Sequence, residues 1–395
     1  MPNKMPPKSS LFPYFQPIIC TASGRIVGYE ALARQYDNNG QIISAGDLFA
    51  SINSDNDAHL LHLDRQVRRQ ALERFSQLDS KAYLAINISA SRLDQFDDFS
   101  ALPTLQMLQE LNIDKNRVII EITESRVELK KLVSAVKEYR KHGLKVAVDD
   151  FGAGYSQLER VLAMRPDIIK LDMKFFKQAA KGGMQKDIIH LITRLSQRTA
   201  SRIVCEGIET NDEFFYALSC GAQFMQGYLF SAAVPEFHET LHFKEQIGQL
   251  RKKFLTKTIQ KEQKKVATIK QIKSLIDQLR KALESHFNLN ELSAFPFEES
   301  GVLRFYLCDN QGNQISSNFN FSEGKWFEEH HEVGFNWSWR PYFYELLALE
   351  HVNDSYRIVT SEPYRDYTTS LLCKTMALRL DAERILLIDV VAEWL

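Results

Sequence analysis

The chain has 395 residues, more than one ordinary hydrophobic core accommodates, which predicts two domains. Its formal net charge of −1 provides no global field and argues against a nucleic-acid polymer as a partner. No uncharged apolar run is long enough to cross a bilayer, and residues 1–10 lack the apolar stretch of a signal peptide and are expected to be disordered. Five cysteines without a CxxC pair favour free thiols and a cytoplasmic location.

Residues 11–230 alternate short Val/Ile-rich runs with longer amphipathic stretches such as LDRQVRRQALERF, and the first domain is expected to span residues 11–238. Brief apolar runs of this kind are typical of buried parallel strands. They lie at 25–32, 83–88, 117–122, 145–149, 167–171 and 202–206. Alternation over about 220 residues predicts an α/β fold, and this length suits a (β/α)₈ barrel. An open doubly wound sheet is the competing architecture.

A polar residue, usually an oxygen donor, stands at the end of each apolar run. The set comprises Glu30, Asn87, Glu121, Asp149, Asp150, Lys170, Glu206 and Gln226. In a barrel, functional residues lie at the C-terminal ends of many strands, whereas an open sheet gathers them at one switch point. The pattern therefore favours the barrel, with these side chains converging on one spot.

The chemistry of this set predicts a site for divalent cations. Neither His nor Cys belongs to it, which argues against zinc, and oxygen donors suit Mg²⁺ or Mn²⁺. Adjacent Asp149 and Asp150 can serve two ions, and paired ions about 3.5–4 Å apart support attack of water on a phosphodiester. Lys170 would position or deprotonate that water and offset developing charge. Arg34, four residues after Glu30, lies close enough to touch phosphate.

Each residue also has a structural alternative. Glu30 could be an ordinary strand-end carboxylate, Asn87 a cap, and Lys170 could form a solvated ion pair with Asp172. Glu121 and Glu124 could open a surface helix, since ITES resembles a capping segment. The segment DDFGAGYS is harder to explain structurally, because two aspartates followed by two glycines have little use in a packed core.

The motifs GYEALAR, INIS, EITES, DDFGAGYS, IIKLD, EGIET and QGY occur in the order found in EAL domains, the phosphodiesterases that hydrolyse cyclic di-GMP. The resemblance covers residues 12–235 and shows no departure at the metal, lysine or loop positions. It implies a (β/α)₈ barrel whose first strand runs antiparallel to the others. It also implies linear pGpG as the product, two Mg²⁺ or Mn²⁺ ions per barrel, and inhibition by Ca²⁺.

The resemblance further implies roles for individual residues. One ion would be held by Glu30, Asn87, Glu121 and Asp149, and the second by Asp149, Asp150 and Glu206. Lys170, Glu206 and Gln226 would be catalytic. Arg34, Asp172 and Tyr228 would contact the substrate. Glu124 and Glu209 would support the 149–156 loop, and Asp64 matches a further family position whose role is not assigned.

Residues 239–289 predict a long amphipathic helix that links the barrel to a second unit. Its apolar positions repeat at steps of three and four, for example Ile272, Ile276, Leu279 and Leu283, and the seam extends upstream to Leu255. Such a helix either packs on its own barrel or serves as a dimer-forming or signal-carrying linker.

Residues 290–395 predict a small α+β unit. VLRFYLCDNQGNQISSNF reads as two strands joined at Asp309–Gly312, a helix follows at 340–350, and CKTMALRL and RILLIDVV are late strands. The unit resembles the PAS-like or Cache-like sensor domain of some two-domain Gram-positive EAL proteins. Its aromatic stretch would line a small-ligand pocket or belong to the core or an interface; the residues are Trp337, Trp339, Arg340, Tyr342 and Phe343.

These observations lead to one expected function and three alternatives. We expect a homodimeric, cytoplasmic cyclic di-GMP phosphodiesterase whose output a C-terminal sensor adjusts. The first alternative is a cyclic di-GMP receptor with little turnover. The second is another metal-dependent barrel enzyme with a lysine base, and the third is a dimeric scaffold acting through residues 240–287.

Overall fold

The structure, a computed structural model, describes residues 11–50, 58–88, 99, 102–123, 128–153, 158–285, 301–350 and 358–392. The chain divides into two compact units, Met1–Phe254 and Leu255–Leu395, and each is described by itself. Within the described ranges, no helix combines the length and the apolarity that a membrane crossing requires.

In the described part of the first unit, eight strands close into a barrel and one short strand is attached outside the ring. The ring contains β1 (Phe12–Cys20), β2 (Ile26–Tyr36), β4 (Tyr83–Ile88), β5 (Val118–Thr123), β6 (Lys145–Phe151), β7 (Ile168–Leu171), β8 (Arg202–Cys205) and β9 (Phe224–Met225), and β3 (Ile42–Ser44) pairs with β2. Strand β1 is antiparallel to both neighbours, whereas the other pairings of the ring are parallel. The predicted barrel and its antiparallel first strand are confirmed.

Helices cover the outside of the barrel. They are α1 (Gly46–Ala50), α2 (Ala58–Ser76), α3 (Pro103–Glu110), α4 (Leu129–Lys141), α5 (Leu158–Met164), α6 (Met173–Ala180), α7 (Met184–Thr199), α8 (Asn211–Ser219) and the first turns of α9 (Lys244–Ser285). Local chemistry sets their starts: Thr210 and Glu213 form a reciprocal capping box at α8. Their apolar stripes complete the core, as Leu132, Val136 and Tyr139 of α4 do.

The barrel has two apolar layers because successive strand residues point to opposite faces. Leu84 and Ile86 pack outward under the helices, whereas Ala85 between them points into the lumen. The lumen is filled by Ile18, Ala85, Ile119, Ala147, Ile168, Val204 and Phe224. The polar residues at the strand ends therefore lie on top of an apolar layer. The low dielectric constant of this layer strengthens the electrostatic interactions among them.

Asp64, the family position without an assigned role, lies in the helical layer. Its carboxylate pairs with Arg68 one turn later on α2, and Arg68 Nη1 donates to Thr104 Oγ1 of α3 at 3.2 Å. Arg68 is buried and Asp64 is partly exposed, and Arg68 thereby links α2 to α3.

The second unit is an antiparallel sheet with one helix and the last turns of α9. Its strands are β10 (Val302–Asp309), β11 (Asn318–Ser322), β12 (Lys325–Glu329), β13 (Val359–Thr360), β14 (Tyr364–Arg365), β15 (Leu372–Arg379) and β16 (Arg384–Val391), and its helix is α10 (Pro341–Glu350). The order is β12-β11-β10-β16-β15-β13, with β14 also paired to β15. The predicted turn at Asp309–Gly312, the helix and both late strands are confirmed.

The apolar residues of helix α9 have different environments along its length. Ile247 and Leu250 are buried in the barrel core together with Phe243, which directly precedes the helix. Ile272, Ile276, Leu279 and Leu283 are buried against the sheet of the second unit. Between them, Leu255, Ile259 and Val266 are exposed by 59%, 48% and 55%. The long amphipathic helix is confirmed, and packing on the barrel accounts for its first turns.

The aromatic stretch of the second unit serves more than one purpose. Tyr342 and Phe343 are core residues, as the structural alternative predicts. Trp337 Nε1 donates to Gln314 Oε1 at 2.9 Å, while the guanidinium of Arg340 lies 4.2 Å from the ring centroid of the largely exposed Trp339. A small ligand for this unit stays a prediction.

Candidate metal centre

An irregularity of β6 brings Asp149 and Asp150 to the same mouth of the barrel. In a regular strand, two successive side chains point to opposite faces. Here the register with β7 shifts between Val148 and Phe151, and Asp150 has a φ of +54°. Both carboxylates consequently lie within 4.8 Å of a Glu206 oxygen. A non-glycine residue in the left-handed region is costly, and such strain concentrates at functional sites.

The chain leaves this bulge through Gly152, where only glycine fits. Its φ is +103°, and a Cβ there would stand 2.3 Å from Cγ of Phe175 on α6. The two aspartates are thus followed by a turn pressed against the next helix. Residues 154–156, the rest of the predicted 149–156 loop, lie outside the described residues, as does Glu124.

The acidic side chains form two overlapping triads. The first consists of Glu30, Glu121 and Asp149, and the second of Asp149, Asp150 and Glu206, with ligand oxygens in each triad within 4.8 Å of one another. These residues come from four different strands or the ends of strands, and they meet because the C-terminal ends of parallel strands share one edge. Asp149 belongs to both groups. This arrangement fits two divalent cations that share one ligand.

Lys170 lies at the centre of the acidic cluster. Its Nζ is 2.7 Å from Glu206, 2.9 Å from Asp149, 3.0 Å from Glu121 and 3.1 Å from Glu30. Burial lowers the pKa of Lys170, but the surrounding carboxylates outweigh burial and hold that pKa well above its usual value. The side chain is 1% exposed, so the predicted alternative of a solvated ion pair is wrong.

Asp172, the partner in that alternative, instead caps a helix. Its Oδ1 accepts a hydrogen bond of 2.8 Å from the backbone N–H of Phe175 at the start of α6. Glu209, predicted to be a nearby support, forms an ion pair with Lys177 of the same helix at 2.8 Å. Both acids therefore fix α6 beside the mouth.

The carboxylates differ in how readily they ionise. Burial, followed by the charge of Glu30 and other neighbours, raises the pKa of Glu121 well above its usual value, and burial does the same to the pKa of Glu206. Burial and the charge of Asp149 raise the pKa of Asp150 to about 6. Burial also acts on Glu30, but Lys170 and the amides of Gln226 and Asn87 lower its pKa below the usual value.

The donor set fits divalent cations by a test independent of the sequence motifs. Four carboxylates contact one ammonium group, a fifth, that of Asp150, completes the second triad, and the buried Oε2 of Glu121 has no hydrogen-bond partner within the described ranges. An excess of buried negative charge with an unpartnered oxygen is costly unless cations or protons neutralise it. Asn87 adds an amide beside the first triad, since its Nδ2 donates to Glu30 Oε1 at 3.0 Å.

Arg34 and Tyr228 stand beside the acidic cluster. Arg34 lies four residues beyond Glu30 on β2, and its guanidinium is 6.0 Å from the ring centroid of Tyr14. Among the residues that the structure places, no carboxylate forms an ion pair with Arg34, which leaves its charge available to an anion. Tyr228 is 70% exposed. Neither the sequence motifs nor their spacing indicated Tyr14.

Gln226 is held against the Glu206 segment by backbone contacts. Its N–H donates to Cys205 O at 3.0 Å, and its carbonyl accepts from Ile208 N at 3.1 Å. A Cβ on Gly227 would stand 2.2 Å from Ile208 N, so only glycine permits this approach. The Gln226 side chain donates to Glu30 Oε2 at 2.7 Å and to Gln16 Oε1 at 2.9 Å.

Gln16 is a site residue that the sequence reasoning missed. It lies within β1 and is 8% exposed. A signal was present, because one glutamine interrupts the run FPYFQPIIC, but the prediction looked only at residues that follow strands.

Comparison with known proteins now adds to this geometry. Residues 5–233 match the EAL domain model, and residues 237–395 match the EAL-domain associated signalling protein domain. The chain belongs to the EAL domain family. The uncharacterized EAL-domain containing protein YkuI of Bacillus subtilis is 28% identical over 391 residues, which cover 96% of this chain and 94% of YkuI.

Two solved structures and a further relative agree with this assignment. The structure of YkuI in complex with substrate c-di-GMP and calcium has a TM-score of 0.83 at 26% identity and covers 96% of both chains. The manganese/cy-diGMP complex of Klebsiella pneumoniae BlrP1 has a TM-score of 0.51 at 29% identity and covers 58% of this chain and 57% of BlrP1. The cyclic di-GMP phosphodiesterase PdeL of Escherichia coli is 27% identical over 231 residues, which are 56% of this chain and 62% of PdeL.

Proposed function

We propose that this EAL barrel hydrolyses cyclic di-GMP to linear pGpG with two divalent cations, Mg²⁺ or Mn²⁺. One observation carries the proposal: two carboxylate triads share Asp149 and surround a buried lysine. Glu30, Asn87, Glu121 and Asp149 would hold one ion, and Asp149, Asp150 and Glu206 the other. The bound ions would polarise the phosphoryl oxygen and lower the pKa of the attacking water.

The protein's own groups have separate tasks in this proposal. Arg34, which has no carboxylate partner among the residues described, binds a phosphate of the substrate. Lys170 keeps its proton because the neighbouring carboxylates hold its pKa well above the usual value, so it donates a hydrogen bond and offsets charge rather than accepting a proton. Asp172 and the exposed Tyr228 contact the substrate at the rim of the mouth.

The relatives support the chemistry of the ligand. YkuI holds c-di-GMP with calcium, and BlrP1 holds it with manganese. The present chain also has an EAL domain, and it places a complete set of oxygen donors at the mouth of its barrel. We extend cyclic di-GMP to this chain on that basis, and we propose calcium as an inhibitor because it tolerates looser coordination than Mg²⁺.

The test is product release from the purified full-length protein. It is incubated with cyclic di-GMP and Mg²⁺, Mn²⁺ or Ca²⁺, and pGpG is separated by chromatography. We expect release with Mg²⁺ or Mn²⁺ and none with Ca²⁺. Tight binding in all three cases without any pGpG would contradict hydrolysis and favour the alternative, a receptor with the same pocket.

We further propose an enzyme barrel at 11–238, a helical linker at 239–289 and a regulatory PAS-like unit at 290–395, in a cytoplasmic homodimer. Because Phe243 and Leu250 are buried in the barrel core, a truncated enzyme should end after Phe254. Comparing turnover and light-scattering mass of residues 1–254 with those of the full chain tests regulation and dimerisation separately. Equal turnover in both would contradict a regulatory role for the second unit.

A further inference from the structure

A chain of hydrogen bonds runs from a backbone carbonyl to one of the proposed metal ligands. Gln16 Nε2 donates to Ser231 O at 3.0 Å, and Gln226 Nε2 donates to Gln16 Oε1 at 2.9 Å. The same Gln226 nitrogen donates to Glu30 Oε2 at 2.7 Å. Gln16, Glu30 and Gln226 are all buried, so water does not compete for these bonds.

The chemistry of the groups permits only one direction for this chain. A backbone carbonyl only accepts hydrogen bonds, so Gln16 must turn its NH₂ to Ser231 and its oxygen to Gln226. Gln226 must therefore present its NH₂ to Gln16, and the same NH₂ faces the carboxylate of Glu30, which also only accepts. The Ser231 carbonyl thereby fixes the orientation of the Gln16 amide and, through it, the orientation of the Gln226 amide.

One consequence is that the Gln226 carbonyl is left for another partner. Its Oε1 is buried and has no hydrogen-bond partner in the parts of the chain that the structure describes. Beside Glu30 and Lys170, an unpaired acceptor suits a proton of the attacking water. If the amide rotated by half a turn, it would instead direct an oxygen at the carboxylate of Glu30.

The antiparallel first strand makes the arrangement possible. Gln16 is directly opposite Glu30 in the β1–β2 register. The Ser231 segment is tied to the same strand, because Phe15 and Val234 exchange backbone hydrogen bonds of 2.8 and 3.0 Å. Ser231, Gln16 and Glu30 therefore belong to one hydrogen-bonded set of segments. We call the chain of hydrogen bonds from Ser231 through Gln16 and Gln226 to Glu30 the relay.

We propose that Gln16 is a positioning residue that sets the amide orientation of Gln226, and through it the orientation of Glu30 and of the attacking water. The inference rests on the proposed hydrolysis and deepens it. The side chain of Gln16 bonds Ser231 and Gln226, so we expect its influence on the site to pass through Gln226.

A double-mutant cycle tests this with Gln16→Met, Gln226→Met and the combined variant. Methionine has nearly the volume of glutamine but lacks the amide. We expect Gln16→Met to lower kcat about tenfold, a loss typical of one removed hydrogen bond to a positioned group, with little change in KM. The combined variant should equal Gln226→Met alone. Independent, multiplying losses would overturn the proposal.

A matched control is Gln223→Met, since Gln223 Oε1 accepts from Ile203 N at 2.7 Å, a contact with the backbone and not with the site. It should keep wild-type kcat.

A binding readout separates this inference from the proposed function. Mn²⁺ affinity is measured by calorimetry on the same four proteins, irrespective of turnover. If the wild type releases no pGpG, non-additive losses of Mn²⁺ affinity in Gln16→Met and Gln226→Met still support the relay, and additive or absent losses overturn it. If the wild type is active and Gln16→Met matches it, the relay fails while the proposed function stands.

Discussion

The barrel mouth and the sheet of the second unit each bury an ionic cluster, but their charge balance differs. In the barrel, five carboxylates lie together, and four of them share the single ammonium of Lys170. In the second unit, Arg304 faces two carboxylates, with Nη2 2.6 Å from Asp366 Oδ1 and Nε 3.4 Å from Asp389 Oδ2. With all groups ionised, the first cluster has four more negative than positive charges, and the second has one more.

The hydrogen bonds differ in the same way. Thr375 donates to the other oxygen of Asp389 at 2.8 Å, and Thr369 donates twice, at 2.7 Å, to the other oxygen of Asp366. Each carboxylate oxygen of that cluster has a hydrogen bond or an ion-pair contact, although the contact of Arg304 Nε with Asp389 is an ion pair and not a hydrogen bond. Glu121 Oε2 in the barrel has no hydrogen-bond partner among the described residues. A buried ionic network whose charges and hydrogen-bonding groups have partners indicates a structural role. A buried network with excess negative charge and an unpartnered oxygen indicates a site for cations.

The largest expected effect is loss of activity when the shared ligand changes. Asp149→Asn removes the one carboxylate common to both triads, and we expect pGpG release with Mn²⁺ to fall by about 10³-fold or more, equivalent to about 4 kcal/mol. Asp79→Asn, an exposed position on the barrel, is the matched control and should keep full turnover. Comparable rates in both variants would mean that the triads do not hold the catalytic ions.

The second effect concerns stability and separates the two clusters most directly. Arg304→Met leaves Asp366 and Asp389 buried without their cation and should lower the free energy of unfolding by about 3–5 kcal/mol. Lys170→Met also destabilises the metal-free protein, but cations can replace the lysine. In chemical denaturation, excess Mn²⁺ at 100 times its Kd should raise the stability of the barrel in Lys170→Met by about 3 kcal/mol, whereas the unfolding transition of the second unit in Arg304→Met should stay lowered with or without Mn²⁺. Equal rescue of both would erase the distinction.

The third effect is a proton release on metal binding. Because burial and neighbouring charge raise the pKa of Glu121 and Glu206 well above the usual value, and that of Asp150 to about 6, the metal-free site holds protons that cations displace. Mn²⁺ affinity should rise with pH from 6 to 8, because fewer protons then compete. Calorimetry in PIPES and in Tris counts the protons, and Glu121→Gln should release about one fewer. A buffer-independent enthalpy would contradict this picture.

The predictable part of the site follows from a single geometric rule. Parallel strands end at one edge, so Glu30, Glu121 and Lys170 could be placed together from sequence. The rule does not predict the position of the Asp150 side chain. In a regular strand this side chain would point to the face opposite Asp149, and only the irregularity of β6 brings it to the same mouth. It also misses Gln16, whose antiparallel strand places a site residue before the strand end.

The second cluster was invisible to sequence reasoning for another reason. Arg304 and Asp389 are 85 positions apart and meet only through the register of β10 and β16, where they are direct partners. Each lies in an otherwise apolar strand, VLRFYLCD and RILLIDVV, where a lone charge gives no indication of its partner. Cross-strand register is set by tertiary packing, so such pairs emerge only in three dimensions.

The smallest effect tests whether a residue on the border of the acidic cluster has one role or two. Asp172 caps α6, so Asp172→Ala should lower stability by about 1 kcal/mol, whereas Asp172→Asn retains a capping oxygen and should lose only a few tenths of a kcal/mol. If the carboxylate also contacts the substrate, as proposed, both variants should raise KM by about tenfold despite their different stabilities. An unchanged KM in Asp172→Asn would mean that Asp172 only caps α6. The substrate site would then exclude Asp172 and be confined to residues closer to Lys170.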